Sequence, residues 1–170
     1  MVGQGLAARG IGIIYGGGRL GLMGALADAA LGAGGEVIGV IPEALKNSEI
    51  AHPGCTVLHT VAGMHERKRL FTDLCDGFIT IPGGVGTMDE LWEAISWAQL
   101  GYHNKPVGLL NIAGYFDHLL AFNAHMAGVG FVRVQHQDIL IAADDLSVLL
   151  GEMAAYQPHQ PIFAMNAQDL

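Results

Sequence analysis

A glycine-rich segment in the middle of the chain has the residue types and spacing of an anion-binding loop. The segment is Ile79-Thr80-Ile81-Pro82-Gly83-Gly84-Val85-Gly86-Thr87-Met88-Asp89-Glu90. The pattern predicts a strand, a glycine turn and a helix, so that free backbone N–H groups and the positive end of the helix dipole converge. Such convergence suits a phosphate. The segment matches neither the P-loop, which needs a lysine after the last glycine, nor the dinucleotide pattern G-x-G-x-x-G.

The same segment also has a purely structural interpretation. Thr87 and Glu90 have the T-x-x-E spacing of a capping box, in which both side chains satisfy N–H groups at a helix start. The sequence leaves both interpretations open, because a capped helix start can still bind an anion.

A basic segment provides the second candidate for chemistry. It is Met64-His65-Glu66-Arg67-Lys68-Arg69, which holds three of the eight lysines and arginines of the chain. A solvated charge run is the usual interpretation, but cations at a helix start oppose the helix dipole. Arg67 also shares a helix face with Leu70 and Phe71 and so continues the core-facing stripe. An arginine placed there needs a buried anion or acid as partner, and a bound phosphate, a ribose or Glu90 would serve.

A second glycine turn precedes these segments. It is Tyr15-Gly16-Gly17-Gly18-Arg19-Leu20-Gly21-Leu22-Met23-Gly24. By itself it favours neither a ligand nor close packing between a helix and a sheet, since both need a backbone without side chains.

The elements that position these segments alternate between short apolar strands and helices. Strands are predicted at 11–15, 36–41, 56–61, 77–81, 106–110 and 139–142, helices at 22–33, 64–75, 87–100, 115–127 and 145–156, and a loop at 43–55. The alternation predicts an α/β fold, a parallel sheet with helices on both faces. Ligands of such sheets bind beyond the carboxyl ends of the strands. Three segments fall there, namely 16–24, 64–69 and 82–90.

The start of the chain departs from a doubly wound domain. Residues 1–10 predict the end of a helix, whereas such a domain opens with a strand before that helix. We therefore expect a Rossmann-like three-layer fold that lacks its first strand. One nucleotide-binding domain is expected over 1–157, followed by a polar tail over 158–170.

Composition narrows the functional class. The chain has 170 residues, of which 51% are hydrophobic and 14% charged, and a net charge of −8. That charge disfavours a nucleic-acid partner, and no apolar run reaches the roughly 18 residues of a membrane helix. The two cysteines and eight histidines show no metal-ligand spacing. We expect a cytoplasmic protein with a small-molecule substrate, no metal and no cofactor.

Together the motifs resemble the LONELY GUY (LOG) family of cytokinin riboside 5′-monophosphate phosphoribohydrolases, long mislabelled as lysine decarboxylases. The resemblance extends over residues 6–150. It is carried by Met64-His65-x-Arg67-Lys68 with Pro82-Gly83-Gly84-x-Gly86-Thr87-x-x-Glu90, by the turn at 15–24, and by Val40-Ile41-Pro42 with Glu49.

The resemblance implies both an activity and a site. The activity is hydrolysis of the N-glycosidic bond of an adenosine 5′-monophosphate, N6-modified or not, or of another purine nucleotide, to free base and ribose 5-phosphate by a homodimer. Arg67 and Glu90 are implied as the catalytic pair. The implied substrate-binding residues are Glu49, Met64, Lys68, Gly83, Gly84, Val85, Gly86 and Thr87, and the second glycine turn adds Gly16, Gly17, Gly18 and Met23.

The sequence also permits three alternative functions. A non-catalytic nucleotide or molybdenum-cofactor carrier has a similar glycine loop, but the basic segment and Glu90 favour the enzyme. An NAD-dependent oxidoreductase lacks support because the dinucleotide pattern is absent. A purely structural glycine-rich domain is the third.

Overall fold

The structure, a computed structural model, describes residues 2–46 and 50–162. The chain forms two compact units, Met1–Cys75 and Asp76–Leu170. The strands are β1 Ile13–Tyr15, β2 Val37–Pro42, β3 Val57–Val61, β4 Phe78–Thr80, β5 Val107–Leu110 and β6 Leu140–Ala143. The helices are α1 Val2–Ala7, α2 Gly21–Gly32, α3 Glu43–Leu45, α4 Met64–Leu74, α5 Val85–Leu100, α6 Asp117–Gly128, α7 Val134–Gln137 and α8 Leu146–Ala155.

The first unit is built on a parallel sheet in the order β1-β2-β3. The central strand β2 is almost entirely buried, as its continuous apolar sequence predicts for a strand covered on both faces. Helix α2 packs through small residues, and Ala27 and Ala30 are fully buried. Helix α1 approaches α2 closely at Gly3, where a Cβ would collide with the Leu26 carbonyl.

The second unit has its own parallel sheet, in the order β4-β5-β6. Strand β5 is buried along its whole length and lies in the middle of this sheet. The core around it joins β5 and β6 to α5 and consists of Leu91, Ala94, Ile95, Ala98, Val107, Leu109, Phe116, Ile139 and Leu140. Helix α8 begins at a capping residue, Asp145, whose carboxylate accepts hydrogen bonds from Ser147 N at 2.7 Å and Val148 N at 3.1 Å.

These observations confirm the predicted fold class, α/β with parallel strands. Within the described residues the ladders form two three-stranded sheets, whereas the sequence pattern predicted one sheet. The segment predicted as loop, 43–55, contains α3 and a bridge between Gly18 and Ala51. The helix predicted from 115 begins at Asp117, after a 3₁₀ turn over Ile112–Gly114. Helix α7 was not predicted.

The described part of the polar tail contacts other residues of the second unit. His136 Nε2 donates a hydrogen bond to the Gln160 carbonyl at 2.9 Å, and Ile162 N donates to the Gln99 carbonyl at 2.8 Å. The expected boundary between a domain over 1–157 and a tail stays a prediction. Among the residues described, no helix has both the length and the apolar character needed to cross a membrane.

Candidate functional site

In the first unit, the glycine turn after β1 packs against Arg67. A Cβ at Gly16 would collide with the Arg67 Nη2 atom. Gly17 has φ +71°, a backbone conformation that other residues rarely adopt, and lies against Val40 and Ile41. The close-packing interpretation of this turn is therefore the one the geometry supports, and the group packed against Gly16 is itself a candidate catalytic side chain.

The Arg67 side chain is held against β2 by contacts from three groups, a backbone carbonyl, an aromatic ring and a thioether. Its Nε donates to the Val40 carbonyl at 3.1 Å, its Cζ lies 5.1 Å from the Phe71 ring centroid, and its Nη1 lies 3.7 Å from Met64 Sδ. The carbonyl and the ring fix the guanidinium plane through a hydrogen bond and a cation–π contact. The sequence had suggested an acidic or phosphate partner, and in this unit a backbone carbonyl fills part of that role.

The start of α4 shows how the basic run is accommodated. The Glu66 carboxylate accepts a hydrogen bond from Ala62 N at 2.8 Å and places negative charge at the helix N-terminus. Arg69 pairs with Asp73 at 3.6 Å on the exposed surface, where such a pair contributes little to stability. Lys68 is half-buried and His65 is exposed. Arg67 is thus the cation of this run that faces the sheet.

Tyr15 is the last residue of β1 before the same turn. Its hydroxyl lies 3.6 Å from Cys55 Sγ. Burial, with a contribution from the hydrogen bond to Cys55, raises the pKa of Tyr15 above its ordinary value. The hydroxyl therefore stays protonated at neutral pH, and its contact with Cys55 adds no charge at the end of β1.

In the second unit, the loop after β4 leads directly into α5. The helix begins at Val85, with Gly84 as the capping residue and no side-chain capping bond. Thr87 is therefore the third residue of the helix, so the capping-box interpretation of Thr87 and Glu90 is wrong. The Thr87 side chain instead packs on Gly83, where a Cβ would collide with Thr87 Oγ1.

Two glycines of this loop are not required by the fold. Gly84 has φ −92°, and a Cβ built at Gly84 or Gly86 would meet no atom within 4 Å. The N–H groups of the first helical turn precede the first helical hydrogen bond, which runs from Met88 N to the Gly84 carbonyl at 3.1 Å. In the part of the chain that the structure describes, these two glycines thus leave open space beside the first turn of α5, whose N–H groups can bind an anion.

Tyr115 contacts this loop from the turn after β5, and sequence reasoning missed it. Its hydroxyl donates a hydrogen bond to the Gly83 carbonyl at 2.8 Å, and its ring meets Phe116 edge-on at 4.8 Å between centroids. Asn111 holds the turn by accepting from Phe116 N at 2.7 Å and donating to Asp117 at 2.8 Å. The available signal was position, because Tyr115 follows β5 and the carboxyl ends of adjacent parallel strands share one edge of the sheet.

Glu90 lies one helical turn after Gly86 and on the same face of α5. The opposite face of that helix borders a cavity of about 150 Å³ lined by Trp92, Ser96, Asn123 and His136, among others. Within the described chain, the His136 Nδ1 atom is buried without a hydrogen-bond partner. Because the cavity faces away from Glu90, it is separate from the glycine loop.

The predicted site residues thus fall into two groups, one in each unit. The first unit brings together Gly16, Gly17, Gly18, Met23, Met64 and Arg67, with Lys68 on the next position of α4. The second unit brings together Gly83, Gly84, Val85, Gly86 and Thr87, with Glu90 one turn along. Glu49 lies outside the described residues. The joint catalytic role of Arg67 and Glu90 stays a prediction.

Solved structures with this fold include molybdenum-cofactor carrier proteins. The carrier from Chlamydomonas reinhardtii is 21% identical, with a TM-score of 0.65 over 91% of this chain and 84% of that chain. The corresponding protein from Rippkaea orientalis is also 21% identical, with a TM-score of 0.67 over 91% of this chain and 82% of its own. At this level of identity the likeness concerns the fold alone.

Sequence comparison defines the class of protein more closely. A family model described as "Possible lysine decarboxylase" matches residues 23–153. The rice (Oryza sativa subsp. japonica) protein LOGL1, a probable cytokinin riboside 5′-monophosphate phosphoribohydrolase, is 46% identical over 95% of this chain and 73% of its own length. Cytokinin riboside 5′-monophosphate phosphoribohydrolases from Arabidopsis thaliana (LOG5) and Rhodococcoides fascians are 43% and 46% identical over 91% of this chain and 68% and 77% of theirs. The chain therefore belongs to the LOG family of enzymes, which confirms the predicted resemblance.

Proposed function

We propose that this chain hydrolyses the N-glycosidic bond of a nucleoside 5′-monophosphate and releases a free base and ribose 5-phosphate. The proposed substrates are adenosine 5′-monophosphates, N6-modified as in cytokinin ribotides or unmodified. The observation that carries the proposal is the 46% identity, over 95% of this chain, to a probable cytokinin riboside 5′-monophosphate phosphoribohydrolase. The open glycine loop of the second unit supports it from the structure.

The phosphate is proposed to bind at the loop of residues 83–87. Gly84 and Gly86 leave space above the first N–H groups of α5, where the positive end of the helix dipole stabilises an anion. The phosphate is remote from the bond that breaks, so its binding energy can position the ribose for reaction. We therefore expect the monophosphate to be cleaved faster than the free nucleoside.

Glu90 is proposed to act on the ribose. Breaking an N-glycosidic bond builds positive charge on the sugar, as in glycoside hydrolysis. A carboxylate stabilises that charge and can orient the attacking water. Glu90 follows the phosphate loop by one helical turn, the reach expected for a group that acts on the sugar of a nucleotide anchored there.

Arg67 is proposed as the second catalytic residue. Its guanidinium is fixed by the Val40 carbonyl and the Phe71 ring, so little conformational freedom is lost when it hydrogen-bonds a substrate oxygen. The rest of the nucleotide is proposed to be held by Met64 and Lys68, on the same helix, and by Glu49.

We also propose that the protein is a homodimer and acts in the cytoplasm.

Product analysis tests this function. The protein is incubated with AMP and, separately, with isopentenyladenosine monophosphate, and free base and ribose 5-phosphate are separated by chromatography. Both products are expected in equal amounts, with slower release from adenosine, which lacks the phosphate. Tight nucleotide binding without turnover would instead favour a non-catalytic carrier.

A further inference from the structure

We propose that Tyr115 is a positioning residue for the phosphate loop, residues 83–87. Its hydroxyl holds the Gly83–Gly84 peptide in the orientation that can bind an anion. The inference rests on the proposed function, because it concerns the loop assigned there to the phosphate. Tyr115 reaches the loop from the turn after β5, and its hydroxyl donates to the Gly83 carbonyl at 2.8 Å.

The geometry of the peptide bond links this contact to the ligand. In a trans peptide the C=O of one residue and the N–H of the next point in opposite directions, and no described peptide is cis. When Tyr115 holds the Gly83 carbonyl toward itself, the N–H of Gly84 must point away from Tyr115. That N–H belongs to the capping residue of α5, next to the space that a Cβ at Gly84 would enter.

The Gly83–Gly84 peptide needs such a restraint, and among the described residues the Tyr115 hydroxyl is the side-chain group that hydrogen-bonds it. Two glycines flank the peptide, so it can rotate into conformations that a side chain would forbid. A rotated peptide would present its carbonyl oxygen where the N–H should be, and a carbonyl repels a phosphate. Thr87 packs on the Cα of Gly83, but packing on a Cα does not select the direction of the carbonyl.

The surroundings of Tyr115 favour this role over core packing. Its side chain is 56% exposed, so the ring is not needed to fill the core. The backbone that carries it is fixed by Asn111, which bonds both Phe116 N and Asp117. A rigid turn thus presents the exposed Tyr115 hydroxyl to the Gly83 carbonyl, which lies outside the strands and helices. The hydrogen bond therefore orients the peptide more than it stabilises the fold.

The first test compares Tyr115→Phe with Tyr102→Phe. The control removes the hydroxyl of another partly exposed tyrosine of the same unit, which lies against Trp97. For Tyr115→Phe we expect the KM for AMP to rise roughly three- to tenfold, the effect of losing one hydrogen bond, with kcat changed less than about twofold. The Ki of ribose 5-phosphate should rise by the same factor, whereas the Ki of adenine, which has no phosphate, should not change.

The outcomes separate positioning from a structural role. An unchanged KM, or equal weakening of ribose 5-phosphate and adenine, overturns the proposal. If the wild-type protein cleaves no nucleotide, the proposed function fails, and the role of Tyr115 is then decided on the ¹⁵N-labelled protein without ligand. Tyr115→Phe should shift or broaden the Gly84 amide resonance and Tyr102→Phe should not; an unaffected Gly84 resonance overturns the positioning role.

Discussion

The two glycine turns of this protein are similar in sequence, but their glycines are needed for different reasons. At Gly16 and Gly17, in the first unit, the protein itself requires glycine, because a Cβ at Gly16 would meet Arg67 and Gly17 has a positive φ. At residues 83–86, in the second unit, Gly84 and Gly86 have room for a side chain.

This contrast separates glycines that internal packing requires from glycines that a ligand requires. Where the protein fills the space, an added methyl group must reduce stability as well as activity. Where the space is open, the methyl group should not lower stability and should interfere only with what binds there. The following predictions test that distinction, beginning with the largest effect.

Replacing Glu90 by Gln removes the carboxylate proposed to stabilise the ribose cation. We expect kcat for AMP to fall roughly 10²- to 10⁴-fold, the usual contribution of a positioned acid or base. Steady-state kinetics and urea unfolding measure activity and stability in parallel. Glu152→Gln, an exposed substitution in α8, is the control and should retain full activity. Full turnover by Glu90→Gln would remove Glu90 from the mechanism and leave the second unit with a binding role only.

Replacing Gly16 by Ala should displace the Arg67 guanidinium. We expect kcat/KM to fall about 10- to 100-fold and the free energy of unfolding to fall by about 1–3 kcal/mol, as for overpacking elsewhere. The control is Gly12→Ala, just before β1, where a Cβ would make ordinary contacts with Glu36. If Gly16→Ala retains both activity and stability, the contact with Arg67 does not constrain this turn.

Replacing Gly86 by Ala should change binding and stability in opposite directions. Alanine favours a helix over glycine, so the free energy of unfolding should rise by up to about 1 kcal/mol. The KM for AMP should rise about tenfold, because the methyl group enters the space proposed for the phosphate. Gly151→Ala, in open space on α8, is the matched control and should stabilise without changing KM. An unchanged KM for Gly86→Ala would place the phosphate elsewhere.

The smallest effect concerns the acid sensitivity of the second unit. His103 is 7% exposed, and its Nε2 donates to the Ala94 carbonyl at 2.9 Å while its Nδ1 accepts from Lys105 N at 3.2 Å. Burial, with a contribution from the charge of Lys105, lowers the pKa of His103 below its ordinary value. The unfolded chain therefore binds the proton more readily, so the stability contributed at neutral pH is lost as the pH falls below about 6.5.

Urea unfolding at pH 7.5, 6.5 and 5.5 measures this loss, which is at most about 1.4 kcal/mol per pH unit for one group. His103→Gln should show a shallower dependence on pH than the wild type. The exposed His118→Gln should behave like the wild type. Equal slopes for all three proteins would show that His103 does not govern the acid sensitivity.

Local patterns were enough to predict most elements of the fold. Continuous apolar runs located β2 and β5, because burial on two faces leaves a direct trace in sequence. Helical periodicity located α4, and Gly34-Gly35 marked the end of α2. The boundary of α5 was misplaced by two residues, since a T-x-x-E pattern is compatible with a helix start but does not require one. Helix α7 escaped prediction because four residues are too few to show a helical period.

Residue types and short spacings were enough to predict the class of fold, the two glycine segments and the family. The folded structure was needed to show that Arg67 is held by the Val40 carbonyl, that Gly16 makes room for it, and that Tyr115 bonds Gly83. The reason is physical: periodicity states which face of an element is buried. The partner that a side chain meets there depends on how distant segments pack.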